Sequence, residues 1–360
     1  MKKMKTKRRV LQCGLTLVEL MVAMVVSLIL MAGVLKIYLS SKQSSRVLTS
    51  EARMQENGRF AMHFLVHDIR MAGYMGCASF NRITPNIIAN PPPAQPVFSS
   101  DNIIRGFDYT GSSWPGSFPQ STGPNGAPPN IVSGTSVIVL QYGSSDGAEL
   151  TGNVNPVNAN VQVTHNAGNW VKGSYVLITD CSGADLFKNT NNTTSSNGST
   201  GYTLAYGSSG NTTNRLSRNY GRDAQTMSYE SDMYYIGTDA NDLDSHGQPR
   251  PALYRMDFSG NRQALVDNVQ SMKILYGLDT SGDRAANEYL TAAQVDAISP
   301  ATNGWPDVVS ARVNLLLSTT DDNLAPSRQT VTFDGSNYNA GDRRLYWTFG
   351  DTVTLRNRAN

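Results

Sequence analysis

The sequence predicts an α+β protein in which one long N-terminal helix precedes a β-rich globular head. Three observations support this fold class. The run from Leu15 to Leu35 is apolar apart from Glu19, and the residues after it keep a helical periodicity without proline. Beyond Gly76 the chain breaks into short segments typical of strands, and its 31 Gly and 16 Pro fit a head rich in turns.

Six cations precede the apolar run, and no acidic residue accompanies them. They are Lys2, Lys3, Lys5, Lys7, Arg8 and Arg9. Removing these six charges from the formal net charge of +2 leaves −4 on the rest of the chain. That part has no cluster of Lys or Arg, so the sequence gives no electrostatic footprint for a nucleic acid, and we expect no nucleic-acid binding.

The 21 residues from Leu15 to Leu35 are enough to cross about 30 Å of hydrocarbon as a helix. The cations before this segment predict a cytoplasmic N-terminus, which leaves the rest of the chain in the periplasm of a bacterium. No small-residue cleavage site follows the segment, so we expect it to stay as a membrane anchor. Glu19 is unusual there, because a carboxylate inside a membrane helix costs roughly 2.5–3.5 kcal/mol and usually marks a function.

Residues 14–20, which read GLTLVEL, resemble the class III signal of type IV pilins and type II secretion pseudopilins. The resemblance implies that a prepilin peptidase cuts after Gly14 and methylates the new N-terminal amine, that of Leu15. It also implies Thr16 and Glu19 as assembly residues. Glu19 would be the fifth mature residue and would pair with the cationic amine of a neighbouring subunit in the fibre core, which offsets the burial of both charges. A signal anchor with a stray Glu near its cytoplasmic end is the alternative.

The helix is predicted to continue far beyond the membrane. Its later apolar residues recur at steps of three, four and seven: Val47, Met54, Ala61, Leu65, Ile69 and Ala72. A helix from Leu15 to about Ala72 would be about 87 Å long, with Gly73 as its C-cap. We assign no role to Gly33 and Gly58, because glycine in a helix usually only lowers its stability by about 1 kcal/mol.

The predicted organisation has four parts. These are a prepilin leader at 1–14, the transmembrane half of the helix at 15–35, its extramembrane half at 36–73, and a β-rich periplasmic head with long loops at 74–360. Antiparallel strands are predicted at 136–142, 175–179, 233–236, 252–256, 308–317 and 328–333. A Pro-rich stretch at 85–129 and a polar stretch at 189–214 are predicted to be long surface loops or mobile insertions.

Cys13 would leave with the leader, so the mature chain would keep Cys77 and Cys181 in an oxidising compartment. We expect these two residues to form a disulfide that ties the helix end to the sheet. It would close a loop of about 105 residues, worth up to roughly 4.7 kcal/mol in the chain-entropy model. Two separate buried thiols are the alternative.

Several further stretches resemble the PilW-type minor pilins. They are Asp68–Tyr74 with Gly76 and Cys77, Thr179–Cys181, Tyr276–Asp279 and Thr352–Asn357. The resemblance implies a minor pilin that primes type IV pilus assembly in the inner membrane, sits near the pilus tip and supports motility or adhesion. It implies as partners other minor pilins, the major pilin, the prepilin peptidase, a tip adhesin and the inner-membrane assembly platform.

Two other functions stay open. A minor pseudopilin of a type II secretion system shares the N-terminal signal and the long helix. A periplasmic binding or enzymatic domain on a signal anchor would instead keep its N-terminus intact and show a ligand-lined cleft.

We expect no enzymatic activity, no cofactor and no metal site. Residues 143–147 have the G-x-S-x-G spacing, but the sequence after them cannot form the helix that a hydrolase needs. His63 and His67 share a helix face, yet Phe64 stands where a zinc protease needs its Glu. Two acidic clusters have oxygen ligands that calcium could use, but neither has the EF-hand spacing. They are Asp279, Ser281, Asp283 and Glu288, and Asp239, Asp242 and Asp244.

Overall fold

The computed structural model describes residues 16–77, 80, 83–92, 98–111, 128, 130–193, 201–298 and 304–359. Within these ranges a long N-terminal helix is followed by a sheet-rich head, which confirms the predicted α+β fold class. Gly14 and Leu15, the predicted cleavage and methylation residues, lie outside the described residues.

Helix α1 is 55 residues long and spans Leu17–Met71. The chain divides into two compact units, Met1–Ala52 and Arg53–Asn360, and the boundary lies inside this helix. In the first unit every large apolar side chain between Leu17 and Leu39 is exposed. By length and composition this is a helix that could cross a membrane.

In the second unit one face of α1 is buried. Met54, Ala61, Leu65 and Ile69 lie on that face at steps of seven and four, and all are 3% exposed or less. The periodicity in the sequence therefore predicted the packed face of the helix. The helix ends at Met71, and Gly73 follows with a φ of +74°, as expected for a C-cap glycine.

Sixteen strands, two short α-helices and two 3-10 helices follow α1 within the described residues. The α-helices are α2 (Ala292–Ala297) and α3 (Arg356–Ala359), and the 3-10 helices are Pro156–Asn158 and Trp305–Asp307. The strands are β1 (Asn86–Ile87), β2 (Ile104–Tyr109), β3 (Thr135–Glu149), β4 (Asn160–Val163), β5 (Tyr175–Asp180), β6 (Gly183–Lys188), β7 (Tyr202–Ala205), β8 (Gln225–Leu243), β9 (Pro249–Asp257), β10 (Arg262–Asp267), β11 (Val269–Leu278), β12 (Glu288–Leu290), β13 (Val308–Ser318), β14 (Thr330–Phe333), β15 (Ser336–Asn339) and β16 (Tyr346–Thr354).

The larger sheet has eight strands, ordered β1-β6-β5-β8-β3-β2, and β9 and β10 extend it from β8. Strand β8 is long enough to pair with β5 and β3 in its first half and with β9 in its second half. Within the described strands only β1 with β6 is parallel, and the other pairings are antiparallel. The antiparallel sheet that the sequence predicts is therefore confirmed.

The smaller sheet has the order β12-β11-β13-β16, so β16 is one of its edges. The main core combines the buried face of α1 with side chains of both sheets, among them Leu140, Tyr234, Val313 and Leu315. Strands β14 and β15 form a hairpin with its own small apolar cluster around Leu316.

The two stretches predicted to be long loops are partly structured. The Pro-rich stretch contains β1 and β2, and Phe98 and Ile103 within it are buried in the main core. The polar stretch contains β7, which pairs with β4. The prediction was wrong for these segments because their short apolar runs are surrounded by proline or polar residues, which dominate the composition of each stretch. Residues 93–97, 112–127, 129 and 194–200 of those stretches lie outside the described residues.

Candidate assembly surfaces

The start of α1 brings together the two predicted assembly residues that the structure describes. The Thr16 N–H and hydroxyl both donate to Oε2 of Glu19, at 3.2 and 3.3 Å, and the Glu19 N–H donates to Oγ1 of Thr16 at 3.3 Å. This reciprocal arrangement is a capping box, which satisfies backbone donors that a helix start leaves unpaired. The carboxylate also lies where the helix dipole favours negative charge. Glu19 therefore has a partner within its own chain.

The end of α1 is held by backbone bonds to the larger sheet. The Gly73 N–H donates to the carbonyl of Gln141 at 2.8 Å, and the Gly143 N–H donates to the carbonyl of Tyr74 at 2.7 Å. A side chain at Gly73 would strain the backbone, because its φ is positive, and would meet Ile103 at 2.7 Å. This explains why glycine is required at the position that follows the helix end.

The structure contains the predicted disulfide between Cys77 and Cys181, whose Cα atoms are 5.0 Å apart. Cys77 lies shortly after the helix end, and Cys181 directly follows β5. Both cysteines are exposed, so the alternative of two buried thiols is wrong. The bond joins two of the stretches that resemble minor pilins, the helix end and residues 179–181.

The C-terminal segment forms a second tie to the helix end. The side-chain amide of Asn357 donates to the carbonyl of Ala72 at 3.0 Å. It thereby satisfies one of the carbonyls that a helix end leaves without a partner. A third stretch of minor-pilin resemblance, Thr352–Asn357, thus meets the first one in space.

Arg358 anchors this C-terminal segment from inside the head. Its guanidinium donates to the carbonyl of Val308 at 2.8 Å and to the carbonyls of Trp305 and Ser100. The residue is 6% exposed, and burial lowers its pKa to about 10, against the opposing charges of Asp101 and Asp307. Arg358 could not be identified from the sequence, because its partners lie 50 or more residues away along the chain.

Buried acidic side chains line the contact between α1 and the larger sheet. Tyr234 donates to Asp68 of the helix, and Tyr142 donates to Asp232 at 2.7 Å. Desolvation raises the pKa of Asp232 to about 6. Desolvation, together with repulsion from Asp232, raises the pKa of Glu230 to about 7. These groups take up protons as the pH falls from neutral into the mildly acidic range.

A groove lies beside the exposed face of α1 in the second unit. Its volume is about 610 Å³, and helix residues line one wall while β16 lines the other. The helix side presents Phe60, which is 51% exposed, and the strand side presents Phe349. The ring of Phe349 lies against Gly58, where an added Cβ would meet its Cζ at 2.3 Å. Gly58 therefore has a role in packing, contrary to the expectation from the sequence.

A second cleft of about 650 Å³ is lined mainly by polar and charged side chains. Arg344 crosses it and forms ion pairs with Asp244 at 2.7 Å and with Asp342 at 3.2 Å. The hydrogen bond from Arg344, helped by backbone donors, lowers the pKa of Asp244 well below its usual range. Asp244, a residue of the second acidic cluster, thus forms an ion pair with Arg344 that joins two loops.

The other candidate sites also have local roles. The Asp279 carboxylate accepts backbone bonds from Ser281, Gly282 and Arg284, at 3.0, 2.6 and 2.7 Å, and so closes a turn. Ser144 lies within β3 and donates to the carbonyl of Asp146 at 2.9 Å. Within the described ranges, no group of three His, Cys, Asp or Glu residues is arranged to hold a metal ion.

Two family models match the chain. Residues 233–357 match Type IV Pilus-assembly protein W, and residues 9–35 match the prokaryotic N-terminal methylation motif. No curated protein and no solved structure matched. The first match runs from β8 to the C-terminal segment that caps α1, and the second covers the apolar start of the helix. The first describes a pilus-assembly protein, the second describes the motif of prepilin-like signals, and neither is a known enzyme class. Together they imply contacts with other pilus components and with a membrane.

Proposed function

We propose that this prepilin-like protein, which is similar to type IV pilus-assembly protein W, is a minor pilin. It primes assembly of the type IV pilus and sits near the pilus tip. It acts by packing against other subunits and performs no catalysis. One observation supports this proposal. The exposed apolar helix carries the methylation motif, and the C-terminal segment of the head, which matches the pilus-assembly family, caps the end of that same helix.

The first step in this function is maturation at the N-terminus. A prepilin peptidase removes residues 1–14 after Gly14 and methylates the amine of Leu15. Residues 15–35 then hold the subunit in the inner membrane, residues 36–73 form the extramembrane helix, and the head from residue 74 lies in the periplasm. The cationic leader supports this orientation.

The second step is entry into the fibre. The capping box holds the Glu19 carboxylate while the subunit waits in the membrane. In the fibre core, Glu19 pairs with the methylated amine of a neighbour, so that two buried charges compensate each other. The partners in the fibre are other minor pilins and the major pilin. A tip adhesin and the inner-membrane assembly platform are further partners.

A clean deletion of the gene tests this function. We expect the strain to lose sheared surface pilin while it secretes exoproteins normally, and a complemented strain to recover. Normal pili with lost secretion would instead identify a minor pseudopilin of a type II secretion system. Normal pili and normal secretion would contradict both roles, and an uncleaved N-terminus would favour a signal-anchored periplasmic domain.

A further inference from the structure

The outer edge of the smaller sheet is open over a short window. In β16 the odd-numbered residues bond to β13, because the Leu355 N–H donates to Val309 at 2.8 Å and the Leu345 carbonyl accepts from Thr319 at 2.9 Å. Antiparallel pairing alternates, so the backbone groups of even-numbered residues point away from the sheet.

Side chains close this edge at two points. The Tyr346 N–H donates to Oε1 of Gln329 at 2.8 Å, and the Thr352 N–H donates to Oδ1 of Asp351 at 2.8 Å. Between them, the backbone N–H groups of Thr348 and Gly350 have no hydrogen-bond partner among the described residues. An unpaired strand edge of this kind is a template for another strand.

The groove beside α1 lies next to this window. Glu56, Arg59, Phe60 and His63 line it from the helix, and Phe349 and Asp351 line it from β16. A strand paired with β16 would lie about 4.8 Å from it and would direct alternate side chains toward the helix. Phe60 and Phe349 offer such a side chain apolar contact, and Arg59 has no ion pair within the described part of the chain.

We propose that β16 takes up a fifth strand, contributed by the head of a neighbouring prepilin-like subunit that is not a second copy of this chain. This inference rests on the proposed function. Main-chain groups at strand spacing are satisfied by an extended backbone, whereas a docked helix would leave them unpaired. The incoming segment carries an apolar residue that packs on Phe60 and Phe349 and an acidic residue that reaches Arg59.

Proline at position 348 tests the inference with little disturbance of the sheet itself. Thr348→Pro removes an outward N–H that β13 does not use, and edge strands tolerate proline at such positions. Thr348→Ala is the matched control, because it keeps the N–H. Each full-length variant is expressed in the deletion strain and immunoprecipitated from detergent-solubilised membranes, and the other prepilin-like subunits of the same pilus are quantified by mass spectrometry.

We expect Thr348→Pro to lower the recovery of one prepilin-like subunit at least tenfold, and Thr348→Ala to stay within twofold of the wild type. Both variants should keep the Cys77–Cys181 disulfide, which reports a folded head. If folded Thr348→Pro recovers every prepilin-like subunit as well as the wild type does, the proposed strand addition is wrong. Normal piliation of the deletion strain would overturn the proposed function instead, so the two failures are distinguishable.

A photo-crosslinking residue in place of Phe60 provides a second measurement if Thr348→Pro does not fold. The matched control places it at Val171, which is 58% exposed and does not line the groove. We expect the Phe60 position, and not the Val171 position, to give an adduct with a head peptide of another prepilin-like subunit. Adducts with a second copy of this chain, with a protein outside the pilus, or with no protein would contradict the inference.

Discussion

The two parts of helix α1 have the same regular backbone but differ in what surrounds their side chains. In the first unit every large apolar residue from Leu17 to Leu39 is exposed, and a Cβ added at Gly33 would have no atom within 4 Å. In the second unit Ala61, Leu65 and Ile69 are fully buried. The large apolar side chains of the first part are therefore left uncovered by the described chain, which fits a membrane-anchored protein, whereas those of the second part are covered by the head.

This difference explains why the function of the first part can be inferred from its sequence, whereas that of the second part requires the structure. A segment whose partners lie outside the chain must be recognised through its own local sequence, and the motif GLTLVEL is such a sequence. A segment whose partners lie inside the chain can be understood only when those partners are known. Substitutions in the first part should therefore change processing and assembly, and substitutions in the second part should change the stability of the head.

The largest effect is expected at Gly14. Gly14→Val should abolish processing, because the peptidase would meet a branched side chain at the cleaved bond, and the variant should give no surface pili. Intact-mass measurement of the membrane-bound protein would show the retained leader of residues 1–14. Leu15→Phe is the control and should be cleaved and methylated normally. A mature mass for Gly14→Val would contradict the predicted cleavage site.

Substitutions at Glu19 separate the charge of this side chain from its capping role. Glu19→Ala and Glu19→Gln should both be processed and both lose most surface pili, because neither can neutralise a cationic amine. Gln still accepts a bond from the Thr16 N–H, so a need for capping alone would leave Glu19→Gln piliated. Surface pilin equal to the wild type in the Gln variant would therefore contradict the charge pairing.

Within the head, Arg358 should matter most to stability. Arg358→Met leaves the buried carbonyls of Trp305 and Val308 without their donor, and we expect the free energy of unfolding to fall by about 3 kcal/mol. Urea unfolding of the full chain in detergent, followed by tryptophan fluorescence, would measure this loss. Arg356→Met, an exposed neighbour, should change stability by less than about 0.5 kcal/mol.

The sequence predicted the parts of the fold that depend on local pattern. It predicted the buried face of α1, the glycine cap at its end and strands rich in β-branched residues, such as β13. It also predicted the disulfide, because two cysteines in an oxidising compartment leave one pairing. Strands β2 and β7 were missed because each is short and is surrounded by proline or polar residues.

The parts that could not be predicted depend on contacts between distant residues. Gly58 has a role only because Phe349 lies against it, and the two are almost 300 residues apart. Asn357 was singled out by resemblance, but its partner Ala72 lies 285 residues away along the chain. The open edge of β16 follows from the strand order, which residue patterns alone do not determine.

The two helix glycines offer a matched test of the contrast between the two parts. Gly58→Ala should lower the free energy of unfolding by about 1–2 kcal/mol, because its Cβ would displace the Phe349 ring. Gly33→Ala should not lower it, since alanine is the better helix former by about 1 kcal/mol. Thermal unfolding of both variants in detergent would measure this. Combining Gly58→Ala with Phe349→Leu should restore part of the loss; no restoration would contradict the clash.

The smallest effect is expected in the pH dependence of stability. The pKa of Glu230 is raised to about 7 in the folded head, so the folded state keeps a proton that the unfolded state releases near pH 4.5. Stability should therefore fall as the pH rises from about 4.5 to 7 and then level off. Glu230→Gln should flatten this slope, and the exposed control Glu149→Gln should not. An unchanged slope in Glu230→Gln, measured by urea unfolding across that range, would contradict the raised pKa.

The disulfide so close to the helix end has a mechanical consequence. In the pilus subunit proposed above, tension along the fibre would enter through α1 and would have to pass into the head. The chain between Met71, where the helix ends, and Cys77 comprises only residues 72–76, which can extend by no more than about 20 Å. Beyond that length the load reaches β5 through the covalent bond to Cys181. The joint then resists force even if the hydrogen bonds around Gly73 and Asn357 have broken.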